Sequence, residues 1–151
     1  MKTKQPDTHS IIALTASIRE QANILILQYL SEHGITDILP AHGAVLNALF
    51  QQNPMLMNEL AKTIGRKKNT VTGLINTLEE RGYCRREPDP HDARALHVFL
   101  TGKGESMRAI QAEVSEKLLR QIWQQIGEEE QQICINVLQS ILNNLEKSTP
   151  A

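Results

Sequence analysis

Apolar residues recur at steps of three and four near both ends of the chain and lose that step in the middle. From Ser10 to His33 they fall at Ile11, Leu14, Ile18, Ala22, Leu25 and Tyr29, one face of a long helix that Gly34 ends. Pro40, behind Leu39, opens a second helix with Ala44, Val45, Ala48 and Leu49 on its buried side, closed by Asn53-Pro54. Met55-Leu56-Met57 is long enough only for a single edge bridge. Asn58 starts a short helix with the stripe Leu60, Ala61 and Ile64, stopped by Gly65. Val71, Leu74, Ile75 and Leu78 mark the next helix, ending at Arg81-Gly82. Two short helices around a tight, Gly-containing turn are the helix-turn-helix pattern.

After Gly82 the period shortens to two. Tyr83 to Glu87 reads as one strand and Ala95 to Leu100 as another, and Pro88, Asp89 and Pro90 between them cannot lie inside a helix. This is a β-wing. Thr101 then caps a long helix carrying Met107, Ile110, Val114, Leu118, Ile122 and Ile126, which Gly127 breaks. The last helix starts at Glu128, with three acids in its first turn and Ile133, Val137, Ile141 and Leu145 along one side. The expected fold is mainly α: a winged helix-turn-helix with long N- and C-terminal dimerisation helices and a two- to three-stranded β-wing. The winged lobe is expected over 38–103, flanked by a helical dimerisation region made of 1–37 and 104–151. The long terminal helices have apolar faces wider than so small a lobe can cover. Pairing with a second copy in an isologous homodimer satisfies them; a monomeric bundle is the alternative.

Composition adds two constraints. With two Phe, two Tyr and one Trp in 151 residues, the core must be aliphatic, which suits helix-on-helix packing. The net charge of −1 hides a segregation: residues 62–103 carry nine basic and five acidic groups, net +4, against −2 for 1–61 and −3 for 104–151. A local basic patch is the footprint of phosphate contact, or else a solvated face. No run of 18 apolar residues is present, so neither a signal peptide nor a membrane span is expected, and the protein should be cytoplasmic.

A recognition helix offers its exposed N-terminal residues to base edges in the major groove. Here those are Lys67, Lys68, Asn69, Thr70, Thr72, Gly73 and Asn76. Thr70, Asn69 and the free N–H groups of the helix start suit phosphate. Lys68 can reach guanine or phosphate, Thr72 a thymine methyl, and Asn76 adenine. Gly73 on an exposed helix face costs about 1 kcal/mol in propensity; close approach of backbone to DNA would explain that, and a neutral glycine is the alternative. In the wing, Arg94 suits a narrow minor groove, with the Asp92 carboxylate placed to hold its guanidinium, and His91 is a further phosphate contact. Arg85 and Arg86 alternate, so only one can face DNA; Arg86 is expected to pair with the wing acids.

The stretches Asn58-Glu59-Leu60-Ala61, Thr70-Val71-Thr72-Gly73-Leu74-Ile75, Leu78-Glu79-Glu80-Arg81-Gly82-Tyr83, Asp89-Pro90-His91-Asp92-Ala93-Arg94 and Leu100-Thr101-Gly102-Lys103-Gly104 resemble the MarR family of bacterial transcriptional regulators. The resemblance implies a triangular homodimer with interlocked terminal helices and two recognition helices in successive major grooves of a pseudo-palindromic operator. It also implies a repressor of nearby genes and a small-molecule effector pocket between the dimer helices and the lobe, for which His42 and Tyr29 are the candidate residues. Met57 and Lys67 stand where the family often has Ser or Thr. Redox-sensing members carry a cysteine in the first helix, which is absent here; Cys84 and Cys134 read as buried small hydrophobes.

No catalytic motif, phosphate-cradling Gly loop or metal-ligand spacing occurs, so the chain should be no enzyme and need no cofactor or metal. His33, Asp37 and His42 lie close in sequence and are the one weak zinc candidate. Two other functions stay open: a winged helix that binds a partner protein instead of DNA, and a metal- or redox-responsive regulator.

Overall fold

A computed structural model of the chain describes residues 7–150. A single 3-10 turn at Thr8–Ser10 leads into α1 (Ile11–Glu32), followed by α2 (Pro40–Gln51), β1 (Met55–Leu56), α3 (Met57–Ile64), α4 (Lys68–Glu80), β2 (Cys84–Pro88), β3 (Leu96–Leu100), α5 (Gly102–Ile122) and α6 (Glu128–Ser148). It is a mainly helical winged helix-turn-helix with one small antiparallel sheet.

Most ends have local causes. Pro40 takes the first position of α2, and the His42 Nδ1 accepts from the Leu39 N–H at 2.9 Å. Glu59 accepts from the Leu56 N–H at 3.1 Å to start α3, which ends at Gly65, φ +64°. Thr101 Oγ1 accepts from the Gly104 N–H at 3.1 Å, so Thr101 caps α5 as its sequence position predicts. The far end of α5 differs from expectation. The helix stops at Ile122 rather than Ile126, and the reversal is made by Gln125, φ +63°. Gly127 is extended and opens α6 rather than breaking α5, its N–H donating to Glu130 Oε2 at 3.1 Å.

The sheet order is β1-β3-β2, with Met55 opposite Val98, Arg86 also opposite Val98 on the other side, and Pro88 opposite Leu96. Under it lies an aliphatic core in which Val45, Leu46 and Leu49 of α2, Leu60 of α3, Val71, Ile75 and Leu78 of α4 and Val98 of β3 have no exposed surface. Each such side chain contributes roughly 1.5–3 kcal/mol of transfer free energy, so this layer sets how α4 is rotated. Met107 and Val114 extend it along α5.

The chain divides into two compact units, one ending at Ser115 and one starting at Glu116, with the break inside α5. In the first unit His33 ties the end of α1 to α5, its Nε2 2.9 Å from Glu113 Oε2 and its Nδ1 2.9 Å from the Tyr29 carbonyl. Ile12, Leu14, Ile18 and Ile24 of α1 lie exposed. In the second unit α6 leaves Ile133, Val137, Leu142 and Leu145 exposed.

The stretch Thr8–Glu32 is long and apolar enough to cross a membrane by length and composition. Polar residues interrupt it, so no unbroken apolar run reveals it in the sequence. Arg19 and Glu20 sit near its middle, where a bilayer would charge each a few kcal/mol, and the exposed apolar side equally suits a protein partner.

Candidate nucleic-acid interface

Burial of Val71, Ile75 and Leu78, with Leu74 half-buried, turns the opposite face of α4 outward. Lys67, Lys68, Asn69, Thr70, Gly73 and Asn76 are exposed there and Thr72 is half-buried. Lys67 is the N-cap but gives no side-chain cap, so the first-turn N–H groups stay open to an incoming anion. The Thr72 hydroxyl donates to the Lys68 carbonyl at 2.9 Å, which leaves its lone pairs and methyl for an outside partner. A Cβ at Gly73 would meet nothing within 4 Å, so packing within the protein does not require glycine there.

The wing is shaped by Asp89. Its Oδ1 accepts from the backbone N–H groups of His91 at 2.7 Å and Asp92 at 3.0 Å, and its Oδ2 lies 3.4 Å from His97 Nδ1. Those donors hold the Asp89 carboxyl below its ordinary range, the His91 N–H foremost. Asp92 Oδ1 accepts from the Arg94 backbone N–H at 3.0 Å. The expected pairing with the Arg94 guanidinium is therefore replaced by a backbone turn, and Arg94 stays exposed on the loop. His91 is also exposed.

Arg86 is corrected as well. It pairs with Glu79 on α4, not with the wing acids: Nε donates at 3.0 Å and Nη2 at 2.6 Å to the same carboxylate oxygen. Arg85 instead pairs with Glu87 at 2.8 Å and stacks 4.6 Å over the Phe99 ring.

These elements converge. Lys68 and Thr72 of α4, Arg94 of the wing and Arg86 of β2 line one cleft of about 170 Å³, floored by Leu56 and Met57. Arg86 is neutralised by Glu79, so Lys68 and Arg94 supply the cleft's open positive charge.

The rear of α4 is fixed by residues that the sequence reading missed. The Arg81 guanidinium donates to the Asp37 carbonyl. Tyr83 is buried and its hydroxyl donates to Asp37 Oδ1 at 2.8 Å. Lys103 Nζ donates to the Arg81 carbonyl at 2.8 Å and lies 4.2 Å over the Tyr83 ring. Thr101 Oγ1 donates to the Gly82 carbonyl at 2.5 Å, and a Cβ on Gly104 would fall 2.0 Å from the Tyr83 carbonyl oxygen. The Leu100-Thr101-Gly102-Lys103-Gly104 motif is thus the seat of the recognition helix's C-terminus, a role its position directly after a strand hints at.

Residues 39–96 match the sequence model of the MarR family. The chain belongs to the MarR family. It is 25% identical over 112 residues to the transcriptional regulator HosA of Escherichia coli O111:H-, covering 74% of this chain and 83% of HosA. The crystal structure of transcriptional regulator PA4135 superposes with TM-score 0.67 at 30% identity over 97% of this chain and all of that one. AbfR bound to DNA superposes with TM-score 0.73 at 20% identity, over 91% and 93% of the two chains, a likeness of fold. The protein is accordingly a MarR-family transcriptional regulator, a class of non-enzymatic proteins.

In this MarR-family chain the two residues named for an effector pocket, His42 and Tyr29, are both buried. His42 is buried and spent on the α2 cap; burial first, and the Arg81 charge second, push its imidazole pKa down, in keeping with an accepting Nδ1. Tyr29 is buried at the end of α1. Neither lines the open cavity of about 680 Å³ between α2, the end of α3 and α5. The zinc candidates are also dispersed, His33 to Glu113, Asp37 to Tyr83 and His42 to Leu39. Cys84 is buried, and burial raises its thiol to about 11, which disfavours the reactive thiolate. Cys134 is exposed, contrary to expectation, because it lies on a side of α6 that its own chain leaves open.

Proposed function

We propose that this regulator binds a pseudo-palindromic operator as a homodimer in the cytoplasm and acts as a repressor that a small-molecule effector releases. The observation that carries the reading is the meeting of Lys68, Thr72 and Arg94 in one cleft, which sets the major-groove helix and the minor-groove arginine side by side. Lys67, Asn69, Thr70 and the open N–H groups of α4 supply phosphate contacts, while Thr72 and Asn76 face bases. Gly73 admits close backbone approach, and His91 adds a phosphate contact at the wing. The exposed apolar sides of α1 and α6 supply the dimer contact, so two copies of α4 lie about one helical turn of DNA, roughly 34 Å, apart.

The test is selection from a random duplex pool followed by anisotropy titration at increasing salt. The expected result is a palindromic site whose affinity drops steeply between 50 and 200 mM salt, by about 10³-fold or more if six or more phosphates are contacted. Arg94→Ala and Lys68→Ala should each weaken binding roughly ten-fold or more, in line with about 1–3 kcal/mol per specific contact. A salt-independent response, or full affinity in both variants, refutes the reading and points to a protein-binding winged helix.

A further inference from the structure

We propose that the cavity between α2, α3 and α5 is a binding site for an uncharged small molecule bearing a carboxamide or lactam, held by Gln111. The cavity has the volume of an ordinary ligand site, about 680 Å³. Gln111 lines it, is only 8% exposed and makes no hydrogen bond among the described residues. Among the described residues no fully enclosed side-chain nitrogen or oxygen lacks a partner, so the Gln111 amide keeps a remaining opening, and Gln111 lines the cavity. A buried amide without a partner is costly unless something else satisfies it. An amide offers one acceptor and two donors, so its natural complement is another amide.

The rest of the lining selects against an anion. Arg108 is the one cationic side chain there, and it is spoken for. Its Nε and Nη2 donate to Glu105 at 2.6 and 3.2 Å, its Nη1 donates to the Phe50 carbonyl at 2.9 Å, and its plane stacks 4.8 Å over the Phe50 ring. What remains is neutral and two-way: Asn47, Gln51, Thr63 and Ser115 can each donate and accept. Thr63 and Ile64 close α3 just before Gly65, the turn that places α4. An occupant therefore bears directly on the recognition helix. This deepens the effector response proposed above and rests on it only for its consequence at DNA.

The probe pair is benzamide and benzoate, nearly isosteric and different in charge. Isotope-edited NMR titration of the full chain should show saturable shifts at Asn47, Thr63, Gln111 and Ser115 with benzamide, and at least ten-fold weaker binding of benzoate. Gln111→Met should lose ten-fold or more in benzamide affinity. The same change should leave Tm of the ligand-free protein equal or higher, since it replaces an unpaired buried amide with an apolar chain of similar length. Benzoate binding as well as benzamide, unchanged affinity in Gln111→Met, or no saturable benzamide binding would each overturn the proposal. DNA titration of the unmodified chain separates the two readings: benzamide binding without duplex binding removes the operator reading and keeps this site, and the reverse result does the opposite.

Discussion

The Glu79 carboxylate grips Arg86 along both side chain and main chain, accepting from Nη2 at 2.6 Å and Nε at 3.0 Å through one oxygen and from the backbone N–H at 2.9 Å through the other. Glu79 belongs to α4 and Arg86 to β2, the first wing strand, so this contact fixes the angle between the helix and the wing. Both side chains are about a third exposed or less, so the pair is partly shielded from solvent.

Glu79→Ala should therefore cost about 1–3 kcal/mol in urea unfolding at neutral pH, the range for losing hydrogen bonds to a charged group, with the lower half favoured by the remaining exposure. The Arg86 hydrogen bond holds the Glu79 carboxyl below its usual pKa. A carboxylate depressed in the folded state stabilises above its unfolded pKa, and the contribution disappears as pH falls through the folded value. The difference in stability between the parent chain and Glu79→Gln should accordingly shrink below pH ~4. A difference that persists unchanged at pH 2 would show that the ion pair is not its source.

Gly104→Ala should be among the most damaging single changes in the lobe. The added Cβ would lie 2.0 Å from the Tyr83 carbonyl oxygen and 3.0 Å from Leu100 Cδ2, and backbone cannot swing aside as a side chain can. The expected loss is about 3 kcal/mol or more, read as a lower urea midpoint. Gly102→Ala is the matched control, because a Cβ there meets nothing within 4 Å.

Tyr83→Phe removes the hydroxyl that donates to Asp37 and should cost about 1 kcal/mol. Burial, and then the Asp37 bond, raise the Tyr83 phenol to about 12. A group whose folded pKa is raised contributes stability in full below its unfolded pKa, here about 10, and loses it as pH climbs through the folded value. The parent chain should thus lose more stability than Tyr83→Phe between pH 10 and 12. Ultraviolet titration should show one of the two tyrosines ionising late.

The helix-turn-helix was legible because its cause is periodic: Val71, Ile75 and Leu78 announce the buried side of α4, and what is left over is the candidate interface. The Arg86 partner was not legible, since Glu79, Glu80, Glu87, Asp89 and Asp92 all lie nearby in sequence and only the packing of β2 on α4 selects among them. The role of Asp92 was half legible: an acid two residues before Arg94 belongs to a turn, but the turn binds the backbone N–H and not the side chain. The end of α5 was missed because Ile126 keeps the helical period while Gln125 has already turned the chain. Periodicity likewise cannot say who covers a face, which is why Cys134 reads as buried and stands exposed.

Gly73 offers a test in which stability and function should move in opposite directions. It sits mid-helix on the exposed side of α4, and an added Cβ would touch no atom of the protein within 4 Å. Its φ is not in the left-handed region, so alanine fits the backbone without strain. Gly73→Ala should then raise stability by up to about 1 kcal/mol, because alanine is the better helix former. If α4 lies in the major groove with its backbone against DNA, the new methyl group occupies space that the operator needs. Affinity for the selected duplex should fall several-fold even as the urea midpoint rises. A more stable variant that binds the operator as tightly as the parent would show that Gly73 faces open space in the complex as well, and that the contact surface of α4 lies nearer to Lys68 and Thr72.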